Sequence, residues 1–315
     1  MTDRAVVRHR DEAIFAHLAD AIRPGARLVS LTALHGGVSA IITSMEIAGA
    51  DGVQERVIVR QHCERERSWS GNVALNEYRL LQVLEAAGYP APVPLFVDPD
   101  RAFFPAPVIV VGYIDGTPDL TLRRCPDAVR QMADALARLH AIEIAEGQLD
   151  FLPAVRDVLH RRLFEVSQDR EMTPDERRVR EAMVAAWPAI PRRRPALLHG
   201  DFWPGNLLWR DGRLVGVIDW EDAAMGDPLF DLAALRLELY WTRDIEAMDA
   251  LTSRYLALTG MEEPADLPFW DLTAALDPIL NLHTWGHPPD TEAMMRRKLV
   301  GFIDHAIARM AGLRR

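Results

Sequence analysis

The run LLWRDGRLVGVIDW, residues 207–220, restricts the fold more than any other part of the chain. Two apolar segments flank Asp211-Gly212, a dipeptide suited to the positive φ angles of a two-residue hairpin turn. The expected hairpin puts Asn206 at the mouth of one strand and Asp219 at the end of its partner, close in space although thirteen residues apart. Asp201 lies on the loop just before, five residues ahead of Asn206. Three side chains able to hold a proton or a metal are thus expected at one end of a small hairpin.

The remaining pattern changes character along the chain. Residues 11–23 have a helical period that Pro24-Gly25 stops. Strand-like pieces follow at Arg27–Ala33, Ser39–Ile47 and Arg56–Arg60, separated by Gly36-Gly37 and by GADG at 49–52. Residues 72–88 form a well-patterned helix closed by Gly88, and PAPVPLFVDPD is held extended by its prolines. PAPVIVVGYIDG reads as a buried strand entering a loop at Gly112–Gly116. Beyond Pro126 helices dominate, at 126–143, 154–168, 174–187 and again after 227, with Pro188, Pro191 and Pro195 as breaks. The expected class is α+β. A small antiparallel-sheet lobe with one main helix, residues 1–111, precedes a larger, mostly helical lobe, residues 112–315. A cleft between lobes is a favoured place for a ligand.

Composition excludes several functions. A net charge of −10 and a pI near 5.5 argue against binding nucleic acid through its phosphates. Cys63 and Cys125 supply neither a disulfide framework nor a zinc spacing. The start MTDRAVVRHRDEAIF lacks an apolar signal core, and no run of about 18 apolar residues occurs. A cytoplasmic protein with no membrane partner is expected; nothing in the sequence fixes its oligomeric state. Of 36 basic residues only Lys298 is a lysine.

The string His199-Gly200-Asp201-x₄-Asn206, with Asp219 after the next hairpin, matches the parts needed for phosphoryl transfer. A loop aspartate can take the acceptor hydroxyl's proton. An asparagine and an aspartate offer the hard oxygens that magnesium prefers. The longer run LLHGDFWPGNLLWRDGRLVGVIDWEDAAMGDPLFDLA resembles the aminoglycoside phosphotransferase and choline kinase-like families, which share the protein-kinase fold. Their HGDxxxxN and IDxxxxxxGDPxxDLA signatures are both present, with Gly200 where protein kinases usually carry arginine. The resemblance implies a two-lobed kinase-like fold, ATP (or GTP) and Mg2+ as cofactors, and a small-molecule hydroxyl acceptor. It implies Asp201 as the catalytic aspartate, Asn206 and Asp219 as magnesium ligands, and His199 as an orienting residue. Asp227 suits the cap of a helix beginning at Pro228. For Asp231 the family role, bracing the catalytic loop, stands beside simple helix capping. No activation-segment signature of a protein kinase follows Asp219.

A nucleotide-binding first lobe needs further parts. Gly36-Gly37-Val38-Ser39 reads either as a phosphate-approaching hairpin through Gly36, Gly37 and Ser39 or as a plain turn. In VIVRQH, Arg60 stands where kinase-like proteins usually carry lysine. A flat guanidinium is not equivalent to a compact ammonium, so a catalytically weak nucleotide-binding relative stays open. Glu77 is the natural ion-pair partner of Arg60, against the plain alternative of a solvated helix glutamate. Val110–Ile114, including Val111, Gly112 and Tyr113, is the expected hinge meeting adenine. Among the other candidates, His140 reads as structural, and His283 and His287 flank Trp285 without a supporting carboxylate or cysteine pattern. Trp203, Trp209 and Trp220 read as core before stacking platforms.

Residues 238–277 carry nine acidic side chains interleaved with Tyr240, Trp241, Tyr255, Phe269 and Trp270. This pattern fits either a solvated acidic surface or a site for a cationic acceptor, such as an aminoglycoside-type antibiotic or a choline- or ethanolamine-type amine. A macrolide is a further alternative.

Overall fold

The alternating stretch ERVIVRQH forms the central strand of a five-stranded sheet. A computed structural model describes residues 9–34, 40–62, 72–121, 127–165 and 172–310. The strands β1 (Arg27–Leu34), β2 (Ala40–Ala48), β3 (Gln54–His62), β4 (Pro94–Asp98) and β5 (Val108–Gly112) lie in the order β1-β2-β3-β5-β4. All neighbouring pairs are antiparallel. Arg60 of β3 faces Ile42 on one side and Ile109 on the other. The two-residue period sends Val57 and Val59 into a core with Phe15 and Leu18 of α1 (His9–Ile22), and sends Arg60 and His62 to the opposite face.

The helix α2 (Val73–Ala86) starts where Asn72 Oδ1 accepts the Leu75 N–H at 3.2 Å. Its buried stripe includes Glu77, Leu80, Leu81 and Leu84, spaced three, four and seven residues from Glu77. Glu77 is therefore a carboxylate on a core-facing surface, 1% exposed, and not a solvated helix residue. A buried charge of this kind requires partners.

Residues 1–115 with 216–221 make one compact unit, and 116–215 with 222–315 make a second. Reading the sequence alone gives no reason to count 216–221 with the first unit. The segment is held there by the Val217 N–H, which donates to the Pro90 carbonyl at 2.7 Å, and by Trp220, edge-on to Tyr89 at 5.7 Å.

In the second unit, α3 (Ala128–His140) buries Met132, Leu136 and Leu139. The expected long helix over 154–168 is α4 (Val155–His160) followed by a π-helical turn, Arg161–Glu165. The Arg180 guanidinium donates to the carbonyls of Arg162 and Leu163 in that turn. Short strands absent from the sequence reading lie before α3 and after the proline-rich connection that follows α5 (Pro174–Ala186). These are β6 (Thr117–Pro118), which pairs with the hairpin, and β7 (Ala196–Leu198), which pairs antiparallel with a strand at Ala224–Gly226. The hairpin itself is β8 (Leu207–Arg210) and β9 (Arg213–Val217), and the Ala224–Gly226 strand is β10. Asp211 and Gly212 both have positive φ, 52° and 74°, as a primed turn requires. Gln131 of α3 clamps the turn, donating to Gly212 O at 2.8 Å and accepting from the Leu214 N–H at 2.9 Å.

The remaining helices are α6 (Leu229–Thr242), α7 (Ile245–Thr259), α8 (Leu267–Asn281) and α9 (Pro289–Met310). Arg236 of α6 is buried and forms a forked pair with Asp271 of α8, Nε–Oδ1 2.8 Å and Nη2–Oδ2 3.0 Å. Its third nitrogen donates to Thr252 Oγ1 of α7. Lys298 of α9 donates to the carbonyls of Tyr240, Trp241 and Arg243 at 2.7, 3.2 and 3.2 Å, closing the C-terminal end of α6. Among the described residues no helix is long and apolar enough to cross a membrane.

Candidate active site

The loop that follows β7 is built around one buried aspartate. Asp231, in the first turn of α6 and fully buried, accepts the N–H of His199 at 2.7 Å and of Gly200 at 3.0 Å. Both loop N–H groups end on this one carboxylate, and the start of α6 is served by Asp227. The Asp227 Oδ1 accepts the Leu229 N–H at 3.0 Å, and its other oxygen receives Arg193 at 2.8 Å. Arg193 also binds Asp266, tying the connection before β7 to the start of α8.

Inside the loop, the Asp201 N–H donates to His199 Nδ1 at 3.2 Å. The Asn206 side-chain amide donates to both Asp201 O and Asp201 Oδ2 at 2.9 Å, which fixes the carboxylate relative to the short 3₁₀ turn Pro204–Asn206. With its nitrogen used in this way, the amide oxygen is the atom of Asn206 that could serve a hard cation. Gly200 has φ +84°, and a Cβ there would overlap the Asp222 carbonyl. This geometry explains why position 200 is a glycine. We expect Gly200→Ala to cost more than the roughly 1–2 kcal/mol of a left-handed backbone. Thermal unfolding and turnover should both fall, and a wild-type melting temperature would disprove the close packing.

A second carboxyl bears on Asp201. Glu238 lies seven residues beyond Asp231 on α6, two turns along the same face. Burial, reinforced by the Asp201 charge, pushes its carboxyl up to about 8. The folded state thus holds a proton that the unfolded chain releases near pH 4.5. The associated stability is complete below that value and is lost as pH rises toward 8. Glu238→Gln should flatten this dependence, with a gain on the order of 1–3 kcal/mol at pH 8–9, less than full linkage because the residue is partly exposed. Urea unfolding at pH 5 and pH 9 measures it; an equal slope in both proteins would remove the assignment.

Among the other members of the 238–277 acidic run, Glu246, Asp249, Glu262, Glu263 and Asp277 are exposed, and three serve within the protein. Asp244 caps α7, Asp266 holds Arg193, and Asp271 holds Arg236. Trp241, Tyr255, Phe269 and Trp270 are interior, so these aromatics offer no open face to a cation. Trp209 and Trp220 are core as expected, while Trp203 is partly exposed and covers Gly205.

In the first unit Arg60 is 8% exposed and surrounded by carboxylates. Its Nη1 binds Glu77 at 2.6 Å, its Nη2 binds Asp219 at 2.8 Å, and Glu221 stands 3.6 Å away. Burial opposes the charge, but Glu77, Asp219 and Glu221 outweigh it and raise the guanidinium above its ordinary range. His62, two residues along the same face, brings Nε2 to 3.0 Å from Glu77 Oε2. Asp219 adopts φ 68°, an uncommon backbone state that aspartate tolerates better than most residues. Val111 and Gly112 end β5; the Gly112 N–H donates to Val93 O at 2.8 Å and the Tyr113 N–H to Arg56 O at 3.2 Å. Those two donors are therefore committed within the sheet. Gly36, Gly37 and Ser39 lie outside the described residues.

Nothing in the sequence marks Arg193 or Tyr255 as fastening this loop, and His140 reads there only as structural. None of the three lies in a motif. The signal available for His140 was its place at the end of an amphipathic helix, pointing the ring inward.

The architecture is that of the kinase-like fold. Choline kinase LicA from Streptococcus pneumoniae is similar to it with a TM-score of 0.62 and 20% identity, covering 94% of this chain and 99% of that one. Residues 47–267 match the phosphotransferase enzyme family, APH, and the chain belongs to that family. Viomycin phosphotransferase of Streptomyces vinaceus is 34% identical over 161 residues, 47% of this chain and 56% of its own. Acyl-CoA dehydrogenase family member 11 of Pongo abelii is 24% identical over 230 residues, 64% of this chain. The aligned part makes up 29% of that longer protein.

Proposed function

We propose that the protein transfers the terminal phosphoryl group of ATP or GTP to a hydroxyl of a small molecule. The observation that carries this reading is the loop His199–Asn206, in which Asp201 is held by Asn206 and the loop backbone by Asp231. The acceptor oxygen forms a bond to the γ-phosphorus, the bond from phosphorus to the β–γ bridging oxygen breaks, and the hydroxyl proton passes to the Asp201 carboxylate. The nucleoside diphosphate leaves with the bridging oxygen. Asn206 and Asp219 supply the oxygen donors for magnesium, each on the chemistry of its own side chain; the ion neutralises phosphate charge when bound. Arg60, positioned by Glu77, contacts the phosphates.

A cationic acceptor is the class we favour. Asp201 and Glu238 are two carboxyls that raise each other's cost of ionisation, and a bound ammonium would relieve it. This supports an aminoglycoside-type antibiotic or a choline- or ethanolamine-type amine over a neutral acceptor. The test is magnesium-dependent release of ADP or GDP across aminoglycosides, viomycin, macrolides, choline and sugar alcohols.

The pairing of Arg60 with Glu77, Asp219 and Glu221 favours a second reading, a nucleotide-binding relative with weak transfer. Magnesium-dependent nucleotide binding with no turnover over that panel would select it.

A further inference from the structure

A buried chain of hydrogen bonds reaches the catalytic loop from the far side of Asp231. His140, the last residue of α3, has a side chain only 3% exposed. Its Nδ1 lies 2.7 Å from the Tyr255 hydroxyl on α7, and its Nε2 lies 3.2 Å from Asp231 Oδ2. That same oxygen accepts the His199 N–H. The Asp231 carboxylate can only accept, so Nε2 is the protonated nitrogen and Nδ1 accepts from Tyr255. Burial, with the charges of Asp231 and Asp227, raises the Tyr255 phenol, which keeps it a donor. Asp231 thus receives three N–H donors, two from the loop and one from His140, and the third stops the carboxylate from rotating off the other two.

We infer that His140 is a positioning residue, held in one tautomer by Tyr255, that sets the catalytic loop through Asp231. The inference rests on the phosphotransferase reading for its effect on turnover, but its effect on the loop stands apart from that reading. Three helices meet in this chain, α3, α6 and α7, so the loop is oriented by elements that carry no signature residue before Asp231.

Two substitutions separate positioning from packing. In His140→Gln the amide nitrogen falls near the former Nε2 and keeps the donor to Asp231. In His140→Asn the nitrogen falls near the former Nδ1 and that donor is lost. Amide hydrogen exchange at His199 and Gly200, resolved by fragmentation in the full chain, should rise about tenfold or more in H140N and stay near wild type in H140Q. Turnover with the acceptor found in the panel should fall by about 10–100-fold in H140N, with KM for nucleotide changed less than about twofold. H140Q should keep turnover within about threefold of wild type. Tyr255→Phe should shift exchange and turnover in the direction of H140N, by less.

Unchanged exchange in H140N, or equal losses in H140N and H140Q, overturns the inference. If H140N fails to fold, unchanged exchange in Y255F does so instead. A wild-type protein without turnover defeats the phosphotransferase reading, while the exchange results still decide the role of His140.

Discussion

Asp201→Ala is expected to lower phosphoryl transfer by about 10²–10⁴-fold, the usual worth of a positioned proton acceptor. Nucleotide affinity should stay within about twofold, because the loop backbone is held by other groups. His199 and Gly200 are held by Asp231, and the Asn206 amide keeps its bond to the Asp201 backbone carbonyl. Asp201→Asn gives the sharper comparison, since it keeps shape while removing the charge and the ability to take a proton. Steady-state diphosphate release and nucleotide titration by calorimetry measure the two quantities. Turnover within about tenfold of wild type in both variants would sink the assignment. Neither variant should lose stability, since removing the Asp201 charge relieves Glu238.

Arg236→Met should destabilise the protein by about 3–5 kcal/mol, the cost of leaving one partner of a buried pair uncompensated. Arg236 and Asp271 are 2% and 1% exposed, and the arginine joins α6, α7 and α8 through Asp271 and Thr252. The matching double variant, Arg236→Met with Asp271→Leu, should recover most of the loss, because no charge is then stranded. Urea midpoints at fixed slope read both effects. A single variant within about 1 kcal/mol of wild type would show that water or another group compensates Asp271.

What the sequence makes legible here is local. The hairpin at Asp211-Gly212, the strand around Arg60 and the stripe of α2 follow from period and turn chemistry that act over a few residues. Those same patterns put Glu77 on a helix without telling whether its face was wet or buried; only the position of β3 against α2 decides that. Composition reads the acidic run at 238–277 only in part, since Glu246, Asp249, Glu262, Glu263 and Asp277 are exposed as on a solvated surface. Asp266 and Asp271 look like surface charge in sequence, and each is buried because an arginine 73 or 35 residues away reaches it. His140 and Tyr255 were unreadable for a related reason. Their roles depend on a contact across 115 residues, and an isolated histidine at a helix end carries no mark of its partner.

The single lysine of this arginine-rich chain reaches from α9 to the end of α6. A tetrahedral ammonium can send separate protons to three converging carbonyls, whereas a planar guanidinium directs its protons within one plane. Arginine, which stands elsewhere for every other cationic side chain, is poorly shaped for that one place. An amine-acylating reagent has one side-chain target in this chain, so the rate at which Lys298 is labelled reports how firmly α9 holds the C-terminal end of α6.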